Sequence, residues 1–301
     1  MPAVLVVGHG LIGAPLRRRL VASGRQPVCV ARGSRDLPGF HALDLTEQAG
    51  RSRLGAMLRE LCPSRVVLTH GPSDVTWVEQ HEKQARAVHC GVADVVAGSG
   101  APTVLVSTDN VFPGTSGRYR PCDQVRPANA YGRVKARAEE LLLAGGSALV
   151  LRVSLVYGWT GPGQRATFAE RCLKAAFDGA PLLAPTDQVF APLHVGDVVA
   201  AIAALAAVPR PLTGVLHLAG PCELSRYEFA RTAYQLVGAD AGLVTPCLRR
   251  DTQWASRPRY SSLECADLTG IGGLTSWQPA PPHDGLRAML AELPGGVPSA
   301  R

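Results

Sequence analysis

The chain is poor in lysine, poor in aromatics and lacks any long apolar run. Only three of its 31 basic residues are lysines, Lys83, Lys135 and Lys174. Phe, Trp and Tyr together make up 5% of the sequence. No stretch approaches the roughly 18 consecutive apolar residues of a membrane span, so none is expected. The opening MPAVLVV runs straight into a strand-like segment with no basic region or cleavage site before it, which argues against a secretion signal. The cysteines Cys29, Cys62, Cys90, Cys122, Cys172, Cys222, Cys247 and Cys265 stand singly, with no CxxC pair. That spacing argues against a zinc site or a disulfide framework and for a reducing cytoplasm. Internal repeats, low-complexity tracts, a basic tail and a basic stripe interleaved with aromatics are all missing. The net charge of +7 therefore does not point to nucleic acid. It reads first as an arginine-rich surface, and second as affinity for phosphorylated ligands, because a guanidinium grips phosphate with two parallel donors.

What is present is a folded chain of 301 residues, 46% hydrophobic and 18% charged, long enough for one large or two modest domains. Short apolar runs alternate with amphipathic segments. Ala3–Val7, Pro27–Ala31, Arg65–Thr69, Thr103–Ser107 and Ala148–Val153 read as strands buried on both faces. Leu11–Ser23, Val78–Ala97 and Tyr131–Ala144 read as helices between them, with Ile12, Leu16 and Leu20 on one face of the first and Arg17–Arg19 mostly off it. This is the pattern of an α/β fold with a doubly wound parallel sheet. After Gly158 the chain becomes rich in Gly and Pro. Helices are expected at His194–Ala207, Arg226–Leu236 and Pro282–Leu293, and a last strand at Gly214–Leu218. We expect a dinucleotide-binding domain from residues 1–157 plus 186–219, and a smaller C-terminal substrate-binding lobe from residues 158–185 plus 220–301.

Gly8-His9-Gly10-Leu11-Ile12-Gly13 matches G-x-G-x-x-G after a strand and at the start of a helix. Gly8 suits the tight turn, Gly10 the approach of backbone to a pyrophosphate, and Gly13 close helix–strand packing; Leu11 and Ile12 lie within the loop. Free N–H groups at the helix start would then face the phosphates. A dinucleotide site that takes NAD places a carboxylate at the end of the second strand, whereas one that takes NADP places arginine there. The chain reads Ala31-Arg32-Gly33-Ser34-Arg35, so Arg32, Ser34 and Arg35 favour NADPH over NADH, with Asp36 the dissenting residue. Asp44-Leu45 follows a short strand-like stretch and reads equally as an adenine contact or a helix cap. Tyr131 and Lys135, four apart, share a helix face, and an ammonium beside a phenol is expected to lower its pKa. Ser107-Thr108-Asp109-Asn110 follows a buried strand, where a hydroxyl would point into the ligand crevice. Arg257 and Arg259, flanking a proline, read equally as surface residues or as a clamp for a substrate diphosphate. His194 and His217 read as core histidines.

The ordered set GHGLIG, STDNVFPG at 107–114, NAYGRVK at 129–135, LRVSLVYG at 151–158, DQVFAPLHVGDVV at 187–199, GVLHLAG at 214–220 and RPRYSSLE at 257–264 spans nearly the whole chain. It resembles the extended short-chain dehydrogenases/reductases, and among them the dTDP-4-dehydrorhamnose reductase family. The resemblance implies a Rossmann-type fold and a catalytic trio. Tyr131 would protonate a carbonyl oxygen, Thr108 would polarise it, and Lys135 would tune Tyr131 and hold the nicotinamide ribose. It also implies that Thr69-His70-Gly71-Pro72 lies along the cofactor. Ser107, Asp109, Asn110, Leu155, Phe168 and Arg257 would fall on the substrate side. There the chain departs from the family pattern: Asn110 stands for a tyrosine, Leu155 for an aromatic, and Thr167, before Phe168, for an asparagine. The expected activity is NADPH-dependent reduction of a keto group on a dTDP-4-keto-6-deoxy sugar or a related polar metabolite. Two alternatives remain open at this point: an epimerase or dehydratase that retains NAD, and a dinucleotide-binding regulatory subunit of another enzyme. The partner is a small molecule, with a nucleotide sugar foremost, and the oligomeric state stays open, a homodimer included.

Overall fold

The structure, a computed structural model, describes residues 3–274 and 276–293. In chain order the first half runs β1 (Val4–Val7), α1 (Gly13–Ala22), β2 (Val28–Ala31), β3 (Phe40–Ala42), α2 (Gln48–Leu61), β4 (Arg65–Leu68), α3 (Val75–Gln80), α4 (Glu82–Ser99), β5 (Thr103–Thr108), α5 (Ala130–Ala144) and β6 (Ala148–Val153). The second half continues with β7 (Val156–Tyr157), α6 (Phe168–Phe177), β8 (Leu182–Pro185), β9 (Val189–Phe190), β10 (Leu193–His194) and α7 (Val195–Ala207). It closes with β11 (Gly214–Leu218), β12 (Leu224–Ser225), α8 (Arg226–Leu236), β13 (Val244–Cys247) and α9 (Pro282–Ala291). Seven strands form one sheet in the order β11-β6-β5-β4-β1-β2-β3, with parallel pairing throughout. The winding direction reverses between β1 and β4. In such sheets the crevice outside the strand ends at that reversal receives the ligand.

Side chains alternate across the strands and define two core layers. Val4 and Val6 face Leu16 and Leu20 of α1 and Val198, Ile202 and Leu205 of α7. Leu5 and Val7 face Leu54, Met57 and Leu58 of α2, Val92 and Val96 of α4, and Leu142 of α5. Each fully buried Val or Leu contributes roughly 1.5–3 kcal/mol, so the continuous apolar strands hold the sheet between its helices. A separate aromatic core gathers Tyr157, Phe168, Phe190, Phe229, Tyr234 and Trp254 with Leu286 and Met289 of α9.

The expected helix Val78–Ala97 is two helices. Asp74 caps α3 by accepting from the Thr76 amide at 3.0 Å, and the backbone turns out of helix at His81 (φ −132°), whose ring stacks on Trp77 at 4.3 Å. Helix α1 begins at Gly13 instead of Leu11, leaving Leu11 and Ile12 in the turn, and α9 ends at Ala291 instead of Leu293.

Candidate active site

The glycine loop is shaped by its neighbours. Gly8 holds φ +110°, and a Cβ there would come within 2.7 Å of Thr69. A Cβ on Gly13 would overlap the Gly8 carbonyl and sit 2.7 Å from Thr69 Oγ1, so only glycine lets α1 approach β4 this closely. Gly10, in contrast, has only Gln164 Oε1 in reach, at 4.0 Å, and its open side is a cradle that a Cβ would occupy. The start of α1 has no side-chain cap and no acidic residue in its first turn. Ala14 N is taken by the Gly10 carbonyl at 3.1 Å and Pro15 has no N–H, so the amides left to meet an anion are those of Leu11, Ile12 and Gly13, where the helix dipole also favours negative charge. These features fit a pyrophosphate.

Around the end of β2, Arg32, Ser34 and Arg35 are exposed, with Gly33 in a left-handed turn at φ +78°. Arg17 joins them from α1: its Nη2 donates to the Pro38 carbonyl at 3.0 Å. Burial, followed by the charges of Arg35, Arg17 and Arg18, lowers the pKa of His9, whose ring meets Phe40 edge-on at 5.3 Å. Periodicity places Arg17 off the helix's buried face; its half-buried position depends on the β2–β3 turn, which periodicity does not show. Asp44 forms a local turn, accepting from Thr46 N at 2.9 Å and Thr46 Oγ1 at 2.6 Å, and these bonds lower its pKa. Leu45 is buried in the core with Leu54 and Leu58. Asp44 stays exposed, with only its Oδ1 engaged in that turn.

At the end of β4, Thr69 Oγ1 donates toward the Val7 and Gly8 carbonyls at 3.2 and 3.3 Å, tying this strand to the glycine loop. Gly71 takes φ +90° against the His89 ring, and His89 Nε2 lies 3.0 Å from the Pro72 carbonyl. His70 and His89 pack at 5.4 Å between ring centroids. Burial, then the charge of Lys135, pushes His70 down to about 3 and His89 well below its ordinary value.

Thr108 ends β5 and caps the short turn that follows. Its Oγ1 donates to Asp109 at 3.0 Å and accepts from Asn110 N at 3.2 Å and Asn110 Nδ2 at 3.1 Å. Asn110 Oδ1 accepts from Asn129 Nδ2 at 2.8 Å, and Asn129 caps α5, the helix that carries Tyr131 and Lys135. One network thus joins the end of β5 to the start of α5. Burial raises Asp109 to about 6, against hydrogen bonds from Ser261, Thr108 and Asn110. The Tyr131 phenol is pushed above its usual value by burial and then by the charge of Asp109, where the sequence reading expected lysine to lower it. The reason is the placement of Lys135, whose Nζ donates to the Val106 carbonyl at 2.8 Å, and which burial lowers to about 8.

Ser107 lies on the opposite face of β5 from Thr108. Its hydroxyl donates to Glu139, which is paired with Arg152 at 2.8 Å, and all three are buried. Ser107 therefore braces α5 against the sheet and does not face the substrate crevice. Thr167, too, is structural: with Glu170 it forms a capping box at α6, and its hydroxyl donates to the Gly158 carbonyl at 3.0 Å. Leu155 is half-buried against the aromatic core, and Phe168 is buried within it. Arg257 is buried; it donates to Thr76 Oγ1 at 3.1 Å and faces Asp74 at 3.7 Å, and Asp74 also pairs with the more exposed Arg165 at 3.0 Å. His194 caps α7, and His217 meets the Tyr119 carbonyl at 3.0 Å. Sequence reasoning missed Arg17, Gln164 (whose Nε2 reaches the His9 carbonyl at 3.4 Å), Arg171 and Arg226. Arg17 is carried by α1 itself and Gln164 by the loop after β7, while Arg171 on α6 and Arg226 on α8 lie over Trp254. Among the described residues, no group of three His, Cys, Asp or Glu side chains is placed to hold a metal ion.

Comparison with known proteins follows the same lines. The dTDP-4-dehydrorhamnose reductase of Mycolicibacterium smegmatis is 34% identical over 240 residues, covering 75% of this chain and 71% of that protein. Methionine adenosyltransferase 2 subunit beta of Bos taurus is 27% identical over 279 residues, covering 89% and 82%. The crystal structure of dTDP-4-dehydrorhamnose reductase from Bacillus anthracis, in complex with NADP, matches the fold with a TM-score of 0.80 at 21% identity, covering 98% of this chain and all of that one. Residues 1–293 match the family described as the RmlD substrate binding domain, and the chain belongs to that family.

Proposed function

We propose that the protein is an NADPH-dependent ketoreductase acting on a 4-keto sugar carried by a nucleotide diphosphate such as dTDP. The observation that carries this reading is that the glycine cradle after β1 and the Thr108–Asn110–Asn129 network after β5, which caps the helix bearing Tyr131, both follow the carboxyl ends of parallel strands of one sheet. Gly8, Gly10 and Gly13 with Leu11 and Ile12 would hold the pyrophosphate. Arg32, Ser34, Arg35 and Arg17 would hold the 2′-phosphate, and Thr69, His70, Gly71 and Lys135 would flank the nicotinamide end. The bound dinucleotide supplies hydride. We assign residues 1–157 plus 186–219 to the cofactor, and 158–185 plus 220–301 to the substrate. The reducing cytoplasm suits its eight free thiols.

The residues perform three tasks. Tyr131 is kept protonated by its apolar walls, so it enters the reaction as a proton donor to the carbonyl oxygen. Thr108 would polarise the same oxygen by turning toward it the one hydroxyl proton that it otherwise donates to Asp109. Lys135 holds positive charge beside the site while anchored on Val106. Arg257 and Arg165, sharing Asp74, would meet the diphosphate at the mouth.

The likeness to a methionine adenosyltransferase subunit favours one second reading, a regulatory subunit. Turnover separates the two. With NADPH and a dTDP-linked 4-keto sugar, the protein should oxidise NADPH, and Tyr131→Phe should lower kcat by about 100-fold or more while NADPH still binds. Absence of turnover by the wild type would leave the regulatory reading.

A further inference from the structure

Arg226 is a buried cation without a counter-ion. It opens α8, is 3% exposed, and donates from Nε to Gln188 Oε1 at 2.6 Å. Its Cζ lies 4.5 Å from the Phe168 ring centroid, 4.8 Å from Trp254 and 5.4 Å from Phe190. Aromatic faces stabilise a guanidinium, yet they leave its N–H groups without acceptors. Nη1 is buried and has no hydrogen-bond partner among the described residues, and the same is true of Nε of Arg171, whose guanidinium shares the Phe168 and Trp254 rings. Neither arginine is in an ion pair among the described residues. Burying a charge this way is costly unless an anion completes the site.

The position of this vacancy of charge is set by backbone contacts. The Arg226 amide donates to the Gln188 carbonyl at 3.1 Å, and the next residue, Val189, accepts from the Ser261 amide at 2.9 Å. The Ser261 side chain hydrogen-bonds Asp109, and Asp109 bonds Thr108. Arg226 is thus linked through Gln188, Val189, Ser261 and Asp109 to the hydroxyl that would polarise the carbonyl. Arg257 and Arg165 pair with Asp74, and burial, followed by the charges of Arg257 and Arg171, lowers the pKa of Arg226.

We infer that the reacting sugar carries a carboxylate and that Arg226, assisted by Arg171, binds it. A planar anion with two oxygens suits the two unpartnered donors, whereas the methyl of a 6-deoxy sugar would leave both unsatisfied. The inference rests on the nucleotide-sugar reading above and names the substrate class of the same site, a keto sugar acid. Calorimetric titration of the full chain, saturated with NADP+, with dTDP-glucuronate and dTDP-glucose tests it. The wild type should bind dTDP-glucuronate at least about tenfold more tightly, the scale of a charge-assisted bidentate contact. Arg226→Met should abolish that difference and Arg226→Lys should keep part of it, whereas a purely structural arginine would weaken both probes alike. Equal affinity of the wild type for the two sugars overturns the carboxylate inference alone, whether or not the variants fold. Failure of the wild type to bind dTDP-glucose, dTDP-glucuronate or dTDP overturns the nucleotide-sugar reading beneath it.

Discussion

The Tyr131 ring packs half-buried against Val78, Ala85, Ala130 and Val134, and its raised pKa keeps on the phenol the proton that a reductase needs there when hydride arrives. Lys135 works from one turn further along α5. Its ammonium is lowered to about 8 by burial, so it is charged below that pH and neutral above it. If the charge supports the reaction, kcat/KM should fall as pH rises through about 8; a profile flat to well above that value would contradict the role. Arg32 and Arg35 are the residues proposed to carry the cofactor choice. Their joint replacement by alanine should reduce NADPH affinity by about tenfold or more and leave NADH binding little changed, since each phosphate contact is a charge-assisted bond. Titration of the double variant with both dinucleotides reads this directly. Much of the site is legible at this scale: the spacing of Tyr131 and Lys135, in a chain with so few lysines, marks the pair without a structure. The partner of Lys135, the Val106 carbonyl, is not legible, nor is the turn of Ser107 toward Glu139, because both depend on how α5 sits on the sheet.

Elements hold these residues at their angles. α5 is pinned by the buried Glu139–Arg152 pair, to which Ser107 adds a hydroxyl. Glu139→Ala would leave a buried guanidinium without its partner, and the cost should be about 3–5 kcal/mol in equilibrium unfolding. A loss below 1 kcal/mol would show that the pair is solvated in practice. α6 depends on its capping box, so Thr167→Ala should cost about 1 kcal/mol and loosen the segment that carries Phe168 and Arg171. That helix could have been found from Thr167-x-x-Glu170 alone, but the glycines and prolines before it obscured the signal. α2 was obscured for a different reason: Gly50 and Gly55 interrupt its pattern, and only Leu54, Met57 and Leu58 are buried. The sheet strands were readable because residues buried on both faces form continuous apolar runs.

At the scale of the whole molecule, the two sheet layers and the aromatic core enclose several histidines that stay uncharged. Burial lowers His70 to about 3, His217 to about 4 and His89 well below 6.5. In the unfolded chain each would titrate near 6.5, so the unfolded state takes up protons that the fold refuses. Stability is therefore full above pH 6.5 and is lost as pH falls toward 4. Tm should decline steeply over that window, and His217→Asn, remote from the crevice, should flatten the decline. A wild-type Tm constant from pH 7 to 4 would refute this account of the core. No helix among the described residues is long and apolar enough to cross a membrane. The function rests on the dinucleotide crevice that the seven-stranded sheet creates at its winding reversal. The most direct measurement is calorimetric titration of the cofactor-free protein with NADPH and with NADH. The account predicts one site per chain, with NADPH bound at least about tenfold more tightly, as expected for a 2′-phosphate held by paired guanidiniums. Preference for NADH, or no binding of either, would contradict it.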